Sequence, residues 1–179
     1  SGAKAQSYNT PQEVYNRLHE GFPALRSQVV RPAKGFIRHP YLVPAGFYSQ
    51  LWDWDAFFMA NHFISRGEPQ YMKSWVLTFA QGIDNDGYVA GCMTTEGPRR
   101  AYSGKFAMKP FLSQGAYHYA NATGEWEWLR PIYKDLGKVL DYRRRTQRDS
   151  LSGLYFWELA MKSGAETMPR LILSVALIC

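Results

Sequence analysis

Cysteine is nearly absent: of 179 residues only Cys92 and Cys179 carry a thiol, at no spacing that a metal site uses, and they say little about compartment. The four histidines, His19, His39, His62 and His118, form no His-Glu-x-x-His run and are expected to pack or to face water. A Gly-rich phosphate loop is missing, and so is a Gly-x-Ser-x-Gly elbow, which leaves nucleotide-binding and serine-hydrolase chemistry without their usual motifs. The one calcium-like stretch, Asp84 to Gly87 (DNDG), lacks the further ligands and the distal glutamate and reads as a turn. Long hydrophobic runs are lacking too. The longest, LILSVALIC at the C-terminus, is about half of a membrane-spanning helix, and the first ten residues hold no apolar leader core. No metal, no cofactor and no membrane are therefore expected, and the protein is expected in solution. A periplasmic or secreted protein with its leader removed would begin in the same way.

Acidic residues are in deficit, leaving a formal net charge of +6. The densest basic run, Arg143, Arg144, Arg145 and Arg148, is expected at a helix C-terminus, where cations complement the dipole and face water; nucleic acid is not an expected partner.

What the chain does have is apolar and aromatic: 46% hydrophobic and 16% aromatic residues, enough for one domain with a sizeable core. Thr10, Pro11 and Glu13 write a capping box at the start of a first helix. A second helix, from about Asp53 to Arg66, carries Trp54, Phe57, Phe58, Met59, Ala60, Phe63 and Ile64 on nearly every side. It reads as an enclosed helix ending at Gly67. A third starts at Glu68 and Pro69, with Tyr71, Met72, Trp75, Val76 and Phe79 at spacings of three and four. Residues 82–104 are expected as a long loop with a function. A fourth helix, roughly Lys109 to Thr123, again reads as enclosed and stops at Gly124. A fifth begins near Pro131 and places Leu129, Ile132, Tyr133, Leu136, Val139 and Leu140 on one stripe.

Gly67 and Gly124 lie 57 positions apart. The same offset lays Met59 on Ala116, His62 on Tyr119, Tyr71 on Trp128 and Trp75 on Ile132. An enclosed helix, a Gly-Glu turn and an amphipathic helix recur, the signature of a helical-hairpin array in an all-α fold. Six such pairs close an (α/α)6 barrel of about 340 residues, of which this chain spells about half.

Ahead of the second helix stands PAGFYSQLWDWDAFF, residues 44–58. Asp53 reads as helix cap and Asp55 as a first-turn acid favoured by the dipole. Tyr48, Gln50, Trp52, Trp54 and Asp55 also suit a sugar, which offers C–H faces to aromatic rings and hydroxyls to a carboxylate. A second candidate is residues 153–170, where Glu158 and Glu166 flank a Ser-Gly turn after an aromatic run; a carboxyl beside apolar rings can act as a general acid.

At these residues the chain resembles the glycoside hydrolases of the trehalase clan, most closely family 63. Residues 44–57 are similar, without a gap, to the trehalase motif Pro-Gly-Gly-Arg-Phe-x-Glu-x-Tyr-x-Trp-Asp-x-Tyr. Pro44, Gly46, Trp54 and Asp55 match outright, and Tyr48, Trp52 and Phe57 match in kind. Phe47 and Gln50 replace the arginine and the glutamate, which favours the family 63 pattern over trehalase itself. The resemblance spans residues 10–165. It implies a partial (α/α)6 barrel and an exo-acting, inverting hydrolysis of a terminal α-linked sugar in an oligosaccharide or glycoside. Trp54 and Asp55 would hold that sugar. The expected substrate-binding set is Tyr48, Gln50, Trp52, Trp54, Asp55, Arg99 and Lys109.

Relatives place an acidic aspartate soon after Ser-Gly; here that position is Glu166. Inversion pairs it with a base about 6.5–9.5 Å away, which the resemblance locates in the second half of the barrel. Glu166 to Arg170 can be written in codons for which one inserted nucleotide gives an Asp-Asn reading. Residues 1–165 are therefore expected as the N-terminal half of the domain and residues 166–179 as an out-of-frame tail, in a chain with little or no hydrolysis. Exposed barrel interior is expected to drive self-association. The rival expectation is a non-catalytic helical-hairpin module that binds a glycan or a protein. A terpene-cyclase barrel lacks its Asp-rich metal motif here.

Overall fold

The computed structural model describes residues 10–44, 46–99 and 107–157. Among the described residues five α-helices dominate: α1 (Pro11–Val29), α2 (Asp53–Ser65), α3 (Gln70–Gln81), α4 (Leu112–Thr123) and α5 (Tyr133–Thr146). Five short strands accompany them: β1 (Val30–Arg31), β2 (Tyr41–Leu42), β3 (Leu51–Trp52), β4 (Cys92–Thr94) and β5 (Gly97–Pro98). The all-α expectation therefore stands as a coarser statement, a helix-rich chain with a small sheet component.

The capping box forms as written. Thr10 Oγ1 accepts the Glu13 N–H at 3.2 Å, and the Glu13 carboxylate accepts the Thr10 N–H at 2.9 Å. Two orphan donors at the helix start are thus satisfied reciprocally.

The expected long loop after α3 is instead partly a hairpin. Strands β4 and β5 pair antiparallel, and β4 pairs with β3, setting Leu51 opposite Met93 and Trp52 opposite Cys92. Three strands of two or three residues lie below what periodicity can detect. Their consequence is large, since they fix the stretch that leads into α2. The DNDG turn forms as expected, with the Gly87 N–H donating to the Asp84 carbonyl at 2.9 Å and Gly87 at φ 92°.

Burial corrects the expected order of helices. Instead of α2 and α4, it is α3 that is enclosed, lying between them with Tyr71, Met72, Trp75, Val76 and Phe79 buried. Gly115 on α4 makes this possible, because a Cβ there would stand 2.7 Å from the Trp75 ring and 3.0 Å from the Met72 sulfur. Helices α2 and α4 keep outward faces on which Phe58 is 58% and Tyr117 54% exposed. On α5, Leu136 and Val139 are buried, but Tyr133 and Leu140 of the same stripe are 72% and 52% exposed.

The repeat is written most clearly at its turns. Gly67 and Gly124 both take left-handed backbone, φ 78° and 75°, the conformation that ends a helix at least steric cost in glycine. The glutamate after each is held by a cation from the helix before the pair. Glu68 accepts from Arg26 of α1 at 2.7 Å, and Glu125 accepts from Lys73 of α3 at 3.2 Å and from the Tyr119 hydroxyl at 2.6 Å.

The arginine run needs a correction as well. Arg143 does not face water: it is 8% exposed, turned inward at the end of α5. Arg144 pairs with Asp141, Arg145 donates to the Asp86 carbonyl, and Arg148 donates to the Gly153 carbonyl. Glu158, Glu166 and the 166–179 tail lie outside the described residues.

Candidate functional site

Helix α2 begins one residue earlier than a capping Asp53 requires. Trp52 is the N-cap, and no side chain caps the helix. Asp53 instead occupies the first turn and is fully buried. Its backbone is held on both sides, the N–H donating to the Gly91 carbonyl and the carbonyl accepting the Trp75 indole N–H, each at 2.9 Å. The carboxylate turns to the segment before α4. Asp53 Oδ2 accepts the Lys109 backbone N–H at 2.6 Å, and Oδ1 stands 3.5 Å from the Lys109 ammonium, itself buried. Lys109 precedes α4, which starts at Leu112, rather than opening it.

The same Lys109 ammonium lies 5.0 Å from the centre of the Trp54 ring, a cation–π distance. Asp55 completes the group, half-buried beside Trp54 on the first turn of α2. Burial pushes the Asp55 carboxyl above the usual aspartate range, opposed by its own backbone N–H, the Lys109 charge and the Trp54 side chain. Burial also pushes Asp53 up, against the Lys109 ammonium and the backbone N–H groups of Lys109 and Trp54. Two carboxyls two residues apart thus have different surroundings: one sealed into an ion pair, the other reachable.

Arg143 approaches the same segment from α5. Its guanidinium donates to the Met108 carbonyl and, at 2.9 Å, to Gln147 Oε1, and it stacks 5.0 Å from the centre of the Trp157 ring. Burial pulls its pKa down to about 10, with the Asp53 charge opposing. Beside it opens a cleft of about 580 Å³ lined by Pro110, Leu140, Arg143, Tyr155, Phe156 and Trp157.

Of the expected substrate-binding set, Trp54, Asp55 and Lys109 come together. Gln50 and Trp52 are half-buried on the approach to α2. Tyr48 lies at the surface, 37% exposed, with its ring 4.5 Å from that of Phe47. Arg99 is exposed just after β5, its N–H on the Cys92 carbonyl at 2.9 Å, and its charge is felt at the buried Cys92 thiol, which burial pushes up to about 12. Sequence reasoning missed Asp53 and Arg143. The signal for Asp53 was present, since alternate positions at a helix start point to different sides and only one of Asp53 and Asp55 can stay near water. For Arg143 there was none, because a buried arginine is written like its exposed neighbours.

Among the described residues no group of three or more histidine, cysteine, aspartate or glutamate side chains could hold a metal. Nor is any helix among them long and apolar enough to cross a membrane. No protein-family model matches the chain, and no curated protein matches it.

Proposed function

We propose that this chain is a carbohydrate-binding part of an (α/α)6-type glycoside hydrolase, in which Trp54, Asp55 and Lys109 hold a terminal α-linked sugar. The observation that carries this reading is their convergence at the start of α2: an indole, a half-buried carboxyl and an ammonium in one spot. The indole takes the apolar face of the ring, the carboxylate accepts from sugar hydroxyls, and the ammonium donates to a sugar oxygen. The hairpin repeat, with its two left-handed glycines, supports the barrel architecture. Hydrolysis with inversion would fall to Glu166 as the acid, with a base about 6.5–9.5 Å away.

Titration with methyl α-glucoside and methyl α-mannoside tests the binding part. Asp55→Ala and Trp54→Ala should each abolish saturable binding while leaving the melting transition in place. Equal affinity in parent and variants would remove the sugar site. The base belongs to the second half of the barrel, so aryl α-glycosides should be turned over little or not at all; clear turnover that Glu166→Gln abolishes would refute the reading of an inactive part.

A second reading, a non-catalytic hairpin module, is favoured by the aromatic surface outside this site. Tyr117 and Trp126 meet edge to face at 5.8 Å while each stays about half exposed, a surface suited to a protein partner.

A further inference from the structure

The Met108 carbonyl and the Lys109 N–H belong to one trans peptide unit, so they point in opposite directions. Arg143 donates to the carbonyl from α5, and Asp53 accepts the N–H from α2. Both side chains are buried, Arg143 at 8% exposure and Asp53 at 0%. Each is itself held, Arg143 by Gln147 and the Trp157 ring, Asp53 by the backbone contacts of its own residue to Gly91 and Trp75. The next peptide upstream is fixed too, since the Met108 N–H donates to the Val89 carbonyl at 2.9 Å. So much polar machinery on one peptide bond fixes more than a connection between helices. Lysine has a long, freely rotating stem, and here the backbone from which it springs is immobilised while Asp53 Oδ1 meets the ammonium at 3.5 Å.

We infer that Asp53 and Arg143 are positioning residues for the sugar site: by gripping the two ends of the Met108–Lys109 peptide unit they set where the Lys109 ammonium stands over Trp54 and beside Asp55. This rests on the sugar-binding reading for its ligand, but the placement of Lys109 can be read without any sugar. The Lys109 charge lowers the pKa of Asp55, so Asp55 reports where that ammonium is. The charge that acts on Asp55 is that of Lys109 ahead of α4; Asp53 stands two residues before it on the same helix, and the charge of Asp53 acts on Arg143 of α5.

The test is a carboxyl-carbon NMR titration of Asp55 in the full chain, carrying the parent sequence, Lys109→Met, Asp53→Asn or Arg143→Lys, with methyl α-glucoside affinity measured alongside. In Lys109→Met the Asp55 titration should move to higher pH. Asp53→Asn discriminates by sign. Removal of a neighbouring negative charge alone would move Asp55 to lower pH, whereas release of Lys109 moves it to higher pH, which is the expected result. Arg143→Lys keeps the charge but loses the planar two-way reach, so an upward move there reports lost geometry. Sugar affinity should fall about tenfold in both, the size of effect that losing a supporting partner has around a ligand site. A downward move in Asp53→Asn, or an unchanged titration in a folded Arg143→Lys, overturns the inference; if Asp53→Asn does not fold, Arg143→Lys decides. Failure of the parent to bind the glycoside, with the titrations moving as expected, would refute the sugar reading and leave the positioning intact.

Discussion

Asp53 and Arg143 hold the same peptide bond from opposite sides, one taking its N–H and the other donating to its carbonyl. Through that bond the start of α2 is tied to the end of α5, across about ninety residues of sequence. Buried charges of this kind are costly to break singly, because the remaining partner is left in a poorly solvated interior. Asp53→Ala should therefore destabilise the fold by about 3–5 kcal/mol, measured by urea unfolding. The double variant Asp53→Leu, Lys109→Met should recover part of that loss, since no buried charge of the pair is then stranded. A double variant as unstable as the sum of its single variants would show that the pair is not coupled.

Two glycines in helices make a matched experiment on packing. A Cβ at Gly115 would press into Trp75 and Met72, whereas one at Gly137 on α5 meets nothing within 4 Å. Gly115→Ala should cost about 1–3 kcal/mol through overpacking. Gly137→Ala should stabilise by about 0.5–1 kcal/mol, because alanine surrenders less backbone freedom in a helix. Thermal melts of the two variants should move in opposite directions.

Acidity should separate binding from folding at Asp55. Its folded carboxyl titrates above the usual range because half-burial disfavours the charge. On the proposed reading, sugar binding by the carboxylate should be complete above that raised pKa and should be lost as pH falls through it, at higher pH than an exposed aspartate would require. Folding has the opposite sign. The group's contribution is fully present below the unfolded aspartate pKa of about 3.9 and fades as pH rises through the folded value. Affinity and stability measured across pH 3–7 should show both trends in the difference between parent and Asp55→Asn, because Asp53, Glu96, Glu125 and Asp149 add the same pH dependence to both.

The Cys92 thiol is buried and pushed up to about 12, so little thiolate exists at pH 8. In a Cys179→Ser background, iodoacetamide should leave native protein unlabelled for hours and modify it rapidly in urea. Fast labelling of the native protein would mean that the β3–β4 pairing opens readily.

The uncovered side of α5 should drive association. Tyr133 and Leu140 lie on the stripe that also supplies buried Leu136 and Val139, yet water reaches both. Replacing Tyr133 and Leu140 with lysine should shift the sedimentation profile toward monomer without lowering the melting temperature. An unchanged profile would point to another face, such as that of Phe58 and Tyr117.

Much of this arrangement was legible in the sequence. Thr10 and Glu13 announced their capping box, and Gly67 and Gly124 marked the ends of α2 and α4, because such signals are local and each residue acts on its own neighbours. Trp54, Asp55 and Lys109 all belong to the expected set, but nothing in the sequence says why Lys109 should meet the other two, since it lies more than fifty residues away and is brought to them by its bond to Asp53. What could not be read was burial. Helix α3 looks amphipathic and is enclosed; α2 looks enclosed and is half open. Only the approach distance that Gly115 permits decides between them, and a distance between helices is not a property of either sequence alone. Arg143 fails to announce itself for the same reason.

The two carboxylate clips, Arg26 to Glu68 and Lys73 to Glu125, join the ends of α2 and α4 to the helix that precedes each rather than to the helix that follows. Damage in such a chain of links travels in one direction. Loosening α1 removes the anchor of the turn after α2, and loosening α3 that of the turn after α4; because α1 buries no residue, hydrogen exchange should begin there and release the Gly67 turn before the Gly124 turn.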